Sequence, residues 1–413
     1  MNYFTYQADE LFAEAVNLKT VAKRFGTPCY VYSRTALEQH WQAFAKPLAA
    51  IQHLICYAVK ANSNLSVLAS LARFGAGFDI VSGGELQRVL RAGGQASKIV
   101  FSGVGKTEAD ICQALMLGIQ SFNVESIAEL QRINTLAAKL KCRARIALRI
   151  NPDVDVKTHP YISTGLKENK FGIPSNEAIA AYQLAASLEN LEIIGIHCHI
   201  GSQILELAPF LAAADKILNL VDQLSEQNIH LQQINLGGGV GVHYRDEVPV
   251  KPQEYVDALL KKLADRNLRL LLEPGRALVA NAGALLTKVE YIKPTPDKRF
   301  AICDAGMNDL LRPALYDAWQ DIVPLTKRKD ISAETYEVVG PVCETADFLG
   351  KNRELAIEAS DYLAILGAGA YGFSMSSNYN SRPRAAEVMV ENDQVKLIRA
   401  RESIEDLWRG EVV

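Results

Sequence analysis

Eight short apolar runs alternate with stretches of helical periodicity, and this alternation constrains the fold more than any other feature of the chain. The runs have strand length and suit a buried sheet. Repeated strand–helix units predict a parallel sheet that is either closed into a (β/α)8 barrel or open and doubly wound. Eight units in about 220 residues fit a closed barrel better. We expect strands at 54–60, 78–81, 98–101, 120–124, 144–150, 193–199, 231–236 and 270–273.

The strand–helix alternation stops after residue 281. The rest of the chain shows short strand-like runs separated by turns, at 285–291, 300–303, 336–339, 362–366, 386–390 and 395–398. Before the barrel, a short helical pattern is followed by a strand at 28–32. We therefore expect an α/β plus β protein. Its TIM-like barrel domain would span residues 33–281, and residues 1–32 and 282–413 would form a mostly β-sheet or β-barrel domain.

Composition argues against several classes of protein. Lys plus Arg number 44 and Asp plus Glu number 47, a net charge of −3, so nothing favours binding to nucleic acid or to an anionic membrane. The N-terminus lacks the pattern of a signal peptide, and no apolar run reaches membrane-spanning length. The seven cysteines are scattered without a Cys-x-x-Cys pair, as is typical of reduced thiols. We expect a cytoplasmic protein.

The predicted strands end in residues that turns alone do not require. In a parallel barrel, the chemistry lies at the carboxyl ends of the strands. Gly, Asn, Asp and Ser would suffice for ordinary turns, but lysine, histidine, arginine and glutamate are added here. The sequence therefore predicts a functional rim that consists of Lys60, Asp79 with Ser82, Ser102, Asn123 with Glu125, Arg149, His199, Gly237–Gly239 and Glu273.

Lys60 closes the first apolar run and has two interpretations. A lysine that ends a buried strand can extend its ammonium group to water. Alternatively, a lysine in a partly desolvated pocket has a lowered pKa, and its neutral amine can form a Schiff base. The residues at the other strand ends favour the second interpretation.

Glycines follow the seventh strand, in the stretch Asn235-Leu-Gly-Gly-Gly-Val-Gly241. Without side chains, their backbone N–H groups can approach a phosphate closely, and barrels of this type often bind phosphate here. The stretch is not a dinucleotide fingerprint, because Val242 stands where the last glycine of that motif would be. A tight strand-to-helix turn is the alternative interpretation.

Two histidines close the sixth strand. Alternation places His197 and His199 on one face. They could form a metal-binding pair, or His199 alone could stack on a flat cofactor; a buried structural histidine is a third interpretation. The remaining histidines include none at a strand end, which argues against a metal site, and we expect no metal.

After the eighth strand, Glu273-Pro-Gly-Arg276 combines an acid with a guanidinium group. The carboxylate could accept a hydrogen bond from a protonated ring nitrogen, and Arg276 could bind a carboxylate or phosphate.

In the β domain, Cys343 lies beside Gly and Pro in a predicted loop. By itself it is best interpreted as a structural cysteine.

Six motifs in register resemble the diaminopimelate decarboxylases, a family of pyridoxal-phosphate enzymes with the alanine-racemase-like fold. They are Tyr57-Ala-Val-Lys-Ala-Asn62, His199-Ile-Gly-Ser-Gln203, the turn Gly237–Gly239, Glu273-Pro-Gly-Arg276, Cys343-Glu-Thr-Ala-Asp347 and Ala370-Tyr-Gly372. The resemblance covers essentially the whole chain.

The resemblance implies a role for each matching residue. Lys60 would form the Schiff base with pyridoxal 5′-phosphate, His199 would stack on its ring, and Glu273 would pair with the ring nitrogen. The phosphate and the rest of the cofactor would be held by Asp79, Ser202, Gly238, Gly239, Gly275, Arg276 and Tyr371. The substrate would be bound by Arg276, Arg312, Tyr316, Glu344 and Tyr371. Cys343 would be catalytic and, with Glu344, would come from the second subunit of a homodimer with shared active sites.

The reaction implied is decarboxylation of meso-2,6-diaminopimelate to L-lysine and CO2, the last step of bacterial lysine biosynthesis. Two alternatives share the fold. A racemase would place an arginine at the ring nitrogen where this chain has Glu273, and ornithine or arginine decarboxylases have Asp after the cysteine where this chain has Glu344. A metal-dependent hydrolase is an alternative from another class.

The segment 153–172 is too long for an ordinary strand-to-helix loop, and we expect it to be a lid. It contains His159 and Lys170-Phe171-Gly172.

We predict that the purified protein is yellow and that Lys60→Ala removes the covalent link to the cofactor. The reason is that Lys60 is the lysine that ends the first strand, on the rim that also carries the glycine turn. Borohydride reduction and turnover measure the link. If Lys60→Ala kept both a borohydride-reducible adduct at the active site and full turnover, the assignment of Lys60 would be wrong.

Overall fold

The computed structural model describes residues 3–154 and 170–413. The chain divides into two compact units. The barrel unit contains His40–Val242 and Val248–Ala277, and the β unit contains Met1–Gln39, His243–Glu247 and Leu278–Val413. Most of the predicted lid, including His159, lies outside the described residues.

Eight parallel strands form a closed ring in the barrel unit. In chain order they are His53–Ala58, Gly77–Ile80, Ile99–Phe101, Ser121–Val124, Ala144–Asn151, Leu191–His197, Gln233–Asn235 and Arg269–Leu272. Each pairs in parallel with the next, and the eighth pairs with the first. The two-residue strand Ile173–Pro174 pairs with the fifth strand outside the ring. This arrangement confirms the predicted barrel.

A helix follows each barrel strand. The helices are Leu65–Arg73, Gly83–Arg91, Glu108–Leu117, Ile127–Lys139, Ala178–Ser187, Ala208–Glu226, Pro252–Leu263 and the short Arg276–Val279, and Arg34–Leu48 precedes the first strand. Polar caps fix where several of them begin. Asn64, Ser82 and Ser126 accept backbone N–H bonds at the starts of three helices, and Thr107 forms a capping box with Asp110. These caps set the lengths of the loops that follow the strands.

The barrel strands are buried along nearly their whole length, as expected for a parallel sheet covered by helices. Leu54, Cys56, Val100 and Leu271 pack together in one apolar cluster. Leu54 and Cys56 are two positions apart on the first strand and so share one face. The ring is therefore a packed core, and its polar residues concentrate where the strands end.

The β unit is built around a nine-stranded sheet. Its hydrogen-bonded order is Phe348–Leu355, Glu334–Val339, Arg299–Cys303, Gly283–Pro294, Cys29–Ser33, Ala386–Glu391 and Gln394–Arg399, with Tyr362–Ile365 joining Gly283–Pro294 to Ile322–Pro324. Cys29–Ser33 pairs with Gly283–Pro294 on one side and Ala386–Glu391 on the other. The N-terminal part of the chain is thus an interior strand of this sheet. The predicted combination of a parallel barrel with a mostly β domain is confirmed.

Some elements of the β unit differ from the expectation. The N-terminal residues form a small antiparallel sheet, Phe4–Gln7, Glu10–Ala13 and Val16–Asn17, before the helix Leu18–Phe25. The strand Phe348–Leu355 was also not predicted. Along the chain, the helix Arg312–Tyr316 follows the strand Arg299–Cys303 and precedes the strand Ile322–Pro324. In the part of the chain that the structure describes, no helix combines the length and apolarity needed to cross a membrane.

We predict that Lys106→Ala destabilises the protein by about 3–5 kcal/mol. The side chain of Lys106 is fully buried, and its Nζ donates to Gly103 O, Asn123 O and Glu129 Oε1 at 2.8, 2.9 and 2.7 Å. Removing the ammonium group leaves the Glu129 carboxylate buried without its counter-charge. The midpoint of urea unfolding measures the effect.

Lys262→Ala is the matched control. Lys262 also pairs with an acid, Asp215, at 2.6 Å, but both side chains are exposed to solvent. We expect a loss of less than about 1 kcal/mol there. Equal midpoint shifts in the two variants would contradict the role given to the buried ion pair.

Candidate active site

The carboxyl-end rim of the barrel, meaning the residues at or just after the carboxyl ends of its eight strands, collects most of the polar side chains that the sequence singled out. The first strand ends at Ala58, and Lys60 lies in the 3-10 turn Val59–Ala61 rather than on the strand itself. Its side chain is 42% exposed, and its Nζ donates to Asp79 Oδ2 at 3.3 Å. Asp79 lies on the second strand and is buried. Lys60 therefore presents an accessible amine beside a buried carboxyl group.

Glu273 is a buried acid on this rim, and three side chains surround its carboxylate. Its Oε1 accepts from Asn235 Nδ2 at 2.6 Å and from Asn123 Nδ2 at 3.0 Å. Its Oε2 is 3.1 Å from Nε2 of His197. All four side chains are buried. Residues at the ends of four different strands thus converge on one carboxylate.

The two buried acids respond to this environment in opposite directions. Burial would raise the pKa of Glu273, but the charge and hydrogen bond of His197, the charge of Lys60 and the bond from Asn235 outweigh it and lower the pKa to about 2. Burial and the Glu273 charge raise the pKa of Asp79, against the opposing effect of Lys60. Glu273 is consequently the acid that keeps its negative charge over the widest pH range.

His199 lies just beyond the sixth strand and contacts the glycine turn. Gly238 N donates to His199 Nδ1 at 3.2 Å. Burial, together with the positive charges of Arg149 and Lys60, lowers the pKa of His199 well below its usual range. Its ring is therefore a neutral, flat surface at neutral pH. This property suits stacking on an aromatic cofactor.

The glycine turn has no room for side chains. A Cβ on Gly238 would lie 2.1 Å from Glu273 O, and one on Gly239 would lie 2.4 Å from Gly201 O. Gly239 also has a φ of +108°, which a residue with a side chain rarely adopts. The turn therefore packs closely against the backbone that follows the sixth and eighth strands, and only glycine fits there. Glycine-rich turns of this kind can present backbone N–H groups to a phosphate.

Arg276 and Ser202, predicted separately as cofactor-binding residues, lie together. Arg276 Nη2 donates to Ser202 Oγ at 3.0 Å, and the Arg276 side chain is largely buried. Gly275 precedes it and packs against the first strand, where an added Cβ would lie 3.0 Å from the Cβ of Ala58. A guanidinium group and a hydroxyl group are thus held together in the same unit as the glycine turn.

Glu125 and Arg149 form a second ionic group on the rim. Arg149 Nη1 donates to Glu125 Oε1 at 2.8 Å, and the backbone N–H groups of Gly103 and Gly172 donate to the same carboxylate at 3.0 and 2.9 Å. Burial opposes ionisation, but the charges of Arg149 and Lys106 lower the pKa of Glu125. This group ties three loops together and is satisfied within the protein, so a structural role accounts for it.

The rim has properties that fit an anionic, aromatic cofactor. Asp79 Oδ1 is a buried acceptor that has no hydrogen-bond partner among the described residues. An accessible amine, a neutral ring, a glycine turn and a buried carboxylate all lie in the same unit. Over residues 3–154 and 170–413, no group of three or more His, Cys, Asp or Glu is placed to hold a metal ion.

The remaining predicted residues lie in the β unit. Arg312 and Tyr316 are the two ends of the helix Arg312–Tyr316, and the Arg312 guanidinium carbon lies 4.5 Å from the centroid of the Tyr244 ring. Glu344 is exposed, with Tyr379 Oη donating to its Oε2 at 3.5 Å. Tyr371 has a left-handed backbone with a φ of 55°.

Cys343 differs from the other cysteines of the chain. All seven lie in the described ranges and are free thiols, and Cys343 alone is exposed. Burial raises the pKa of Cys29, Cys198 and Cys303 to about 12, so these thiols stay protonated and inert. The cysteine in the family motif is thus the accessible one.

Sequence reasoning missed several residues of the rim. Lys106 was not singled out, although it is a lysine close after the third strand. Glu85 was also missed, although Ser82-x-x-Glu85 has the spacing of a capping box; its Oε2 accepts from Val81 N at 2.8 Å. Asn235 was considered only as part of the glycine turn, and its contact with Glu273 could not be read from the sequence.

A comparison with protein families gives one match. The family described as pyridoxal-dependent decarboxylase, pyridoxal binding domain, matches residues 34–280. This range contains the whole barrel and its rim.

Individual proteins are similar over the full chain. The diaminopimelate decarboxylase of Vibrio cholerae is 60% identical, over 100% of this chain and 99% of that protein. The crystal structure of diaminopimelate decarboxylase from Helicobacter pylori complexed with L-lysine has a TM-score of 0.92 and 45% identity, over 95% of this chain and 98% of that one. The M. jannaschii enzyme in co-complex with L-lysine has a TM-score of 0.95 and 39% identity, over 99% of this chain and 98% of that one.

We predict that Glu85→Gln stabilises the protein above neutral pH. Burial and the charge of Asp79 raise the pKa of Glu85 to about 7, against the bond from Val81 and the charges of Lys60 and Arg88. A raised pKa means that the folded protein binds this proton more tightly than the unfolded chain. The stabilisation is therefore complete below the ordinary value of 4.5 and is lost as the pH rises through about 7.

The glutamine variant stays neutral at every pH and can still accept the Val81 bond. Urea unfolding at about pH 8 should show it more stable than the wild type by on the order of 1–2 kcal/mol, with little difference at about pH 4. Glu254→Gln, in the first turn of another barrel helix, is an exposed control and should show no such trend. A constant difference at both pH values would contradict the raised pKa.

Proposed function

The chain belongs to the diaminopimelate decarboxylases within the pyridoxal-dependent decarboxylase family, and we infer that it converts meso-2,6-diaminopimelate into L-lysine and CO2, the last step of bacterial lysine biosynthesis. The observation that carries this inference is the similarity over the full length of both chains to enzymes of that name. Two solved relatives were crystallised with L-lysine, the product of this reaction. The lysine and the buried carboxylate on the barrel rim are the groups that such an enzyme needs.

We propose pyridoxal 5′-phosphate as the cofactor and assign its contacts on the barrel unit. Lys60 would link to it through its accessible amine, and the neutral ring of His199 would stack on it. Gly238, Gly239, Gly275, Arg276 and Ser202 would bind the phosphate, with Asp79 also contacting the cofactor. The tight packing of the glycine turn and the adjacent guanidinium group support this assignment.

When bound, the cofactor supplies an electron-poor ring that takes up the electron pair left behind by departing CO2. Glu273 supports this chemistry by holding a negative charge in a buried position, where it can accept a hydrogen bond from the ring nitrogen. The bond from the α-carbon to the carboxyl carbon breaks, and a C–H bond forms in its place. We propose that the Cys343 thiol delivers that proton, since it is exposed whereas the other cysteines are not.

We propose a substrate-binding role for five residues that the family resemblance identifies. Arg276 lies on the barrel rim, whereas Arg312, Tyr316, Glu344 and Tyr371 belong to the β unit. Arginine side chains suit a carboxylate, and Glu344 suits an ammonium group. These are the groups at the distal end of a substrate that carries two amino-acid heads. This charge pattern favours diaminopimelate over ornithine or arginine, which lack a distal carboxylate.

Release of L-lysine from meso-diaminopimelate tests the function. The assay is run with and without added pyridoxal phosphate, and ornithine and arginine are matched control substrates. We expect lysine and CO2 in equal amounts, dependent on the cofactor, and little product from either control. Racemisation without CO2 release, or faster turnover of ornithine, would transfer the assignment to another enzyme of this fold.

We further propose a homodimer whose active sites combine Lys60 of one subunit with Cys343 of the other. The family resemblance supports this arrangement, and the two residues belong to different units of the fold. In a closed dimer of this kind, each subunit would complete the site of its partner.

Mixing two inactive variants tests the shared site. Lys60→Ala and Cys343→Ala homodimers should each be nearly inactive. A heterodimer would carry one site with both defects and one intact site, so random subunit exchange should restore about a quarter of wild-type activity. Mixing Lys60→Ala with itself is the control. If heterodimers form and no activity returns, Cys343 acts in the same site as its own Lys60.

A further inference from the structure

The polar environment of Glu273 contains more than a single partner for the cofactor. His197 is the last residue of the sixth strand, Asn235 is the last residue of the seventh, and Asn123 lies on the fourth. Glu273 follows the eighth strand directly. Because these strands are neighbours or face each other in a closed ring, their ends bring three donors to one carboxylate.

The hydrogen bonds divide unevenly between the two oxygens of Glu273. Oε1 accepts two, from Asn235 at 2.6 Å and Asn123 at 3.0 Å, whereas Oε2 accepts one, from His197 Nε2 at 3.1 Å. A carboxylate oxygen has two acceptor positions. Among the described residues, Oε1 is therefore saturated, and the remaining acceptor position is on Oε2.

We propose that His197 is a positioning residue, which fixes Glu273 so that the remaining acceptor position of Oε2 receives the N–H of the cofactor's pyridine ring. This inference rests on the proposed function. Asn123 and Asn235 hold Oε1, and His197 prevents the carboxylate from rotating about its terminal bond.

Histidine is well suited to this position. Its Nε2 must donate, because an ionised carboxylate can only accept. Its Nδ1 is buried and has no partner among the described residues. Nε2 therefore gives Oε2 one directional hydrogen bond, which orients the carboxylate.

A metal-binding role and a purely structural role for His197 are both less consistent with the geometry. A metal-binding role would need further ligands, and the described residues contain no suitable group of three. A purely structural histidine would fill space in the core equally well with either ring nitrogen toward Glu273. The position of Nε2, on the oxygen that retains an acceptor position, is what favours the positioning role.

The test compares two probes on the apoprotein. One is pyridoxal phosphate, and the other is its carbocyclic isostere, in which C–H replaces the ring nitrogen. Dissociation constants are measured by quenching of tryptophan fluorescence for the wild type, His197→Leu and Glu273→Gln. The ratio of the two constants isolates the contact with the ring nitrogen, because every other contact is common to both probes.

We expect the wild type to prefer pyridoxal phosphate and His197→Leu to lose about tenfold of that preference, roughly the value of one hydrogen bond to a charged group. Glu273→Gln should lose the preference altogether. The affinity of the isostere should change little in either variant. An equal loss for both probes in His197→Leu would show a merely structural histidine and would overturn the proposal, as would an unchanged ratio.

A matched pair of polar variants covers the case in which His197→Leu does not fold. The amide nitrogen of His197→Gln can reach the position of Nε2, whereas that of His197→Asn reaches only the level of Nδ1. We expect the glutamine variant to keep most of the preference and the asparagine variant to lose it. Equal ratios in the two would overturn the proposal.

Lysine release by the wild type separates this inference from the function on which it rests. Wild-type protein that releases lysine, together with a ratio that His197 does not affect, overturns the positioning role alone. Wild-type protein that binds neither probe and releases no lysine overturns the proposed function and the inference together.

Discussion

Closure of the parallel ring is the constraint on which the candidate site depends. Pairing of the eighth strand with the first brings chain positions that are far apart in sequence onto one rim. Asn123 and Glu273 are separated by 150 residues and are nevertheless hydrogen-bonded at 3.0 Å. In an open, doubly wound sheet, the first and last strands would not pair, and the closing contact between Leu270–Leu272 and His53–Ile55 would be absent. The closed fold therefore brings the polar groups together, and the residues at the strand ends determine which groups they are.

Burying several charges on this rim requires that each be compensated within the barrel unit. Glu125 pairs with Arg149, Glu129 with Lys106, and Glu273 with three hydrogen-bond donors. An unpaired ion in such a position would cost several kcal/mol. The contact between Lys60 and Asp79 is different, because the lysine remains 42% exposed. Among these groups, Lys60 is thus the one with a substantially exposed side chain, while the buried pairs support the loops around it.

The sequence predicted the barrel well, because each parallel strand is a nearly continuous apolar run bounded by helical periodicity. Other elements lacked such a signal. The hairpin Phe4–Gln7 and Glu10–Ala13 turns through Ala8 and Asp9, both with positive φ, where glycine or asparagine would have marked a turn. The strand Phe348–Leu355 contains Lys351, Asn352 and Arg353, which conceal its alternation. On the rim, residue types at strand ends could be predicted, but their mutual contacts depend on barrel register. The sequence therefore could not show that His197 contacts Glu273.

His199 and Glu273 lie on the same rim but differ in charge, because burial and neighbouring charges affect each of them differently. The pKa of His199 is lowered because burial and nearby cations both disfavour a positive charge on its ring. Glu273 is more deeply buried, yet the donors around it more than offset the desolvation and lower its pKa to about 2. A neutral ring and a fixed carboxylate are what an electron-poor aromatic cofactor requires, one to cover its face and the other to pair with its ring nitrogen. Neither residue type alone determines this outcome. His197, Lys60 and Asn235 determine it for Glu273. His197 and Asn235 do so from the ends of the sixth and seventh strands, where the register of the closed barrel sets their positions.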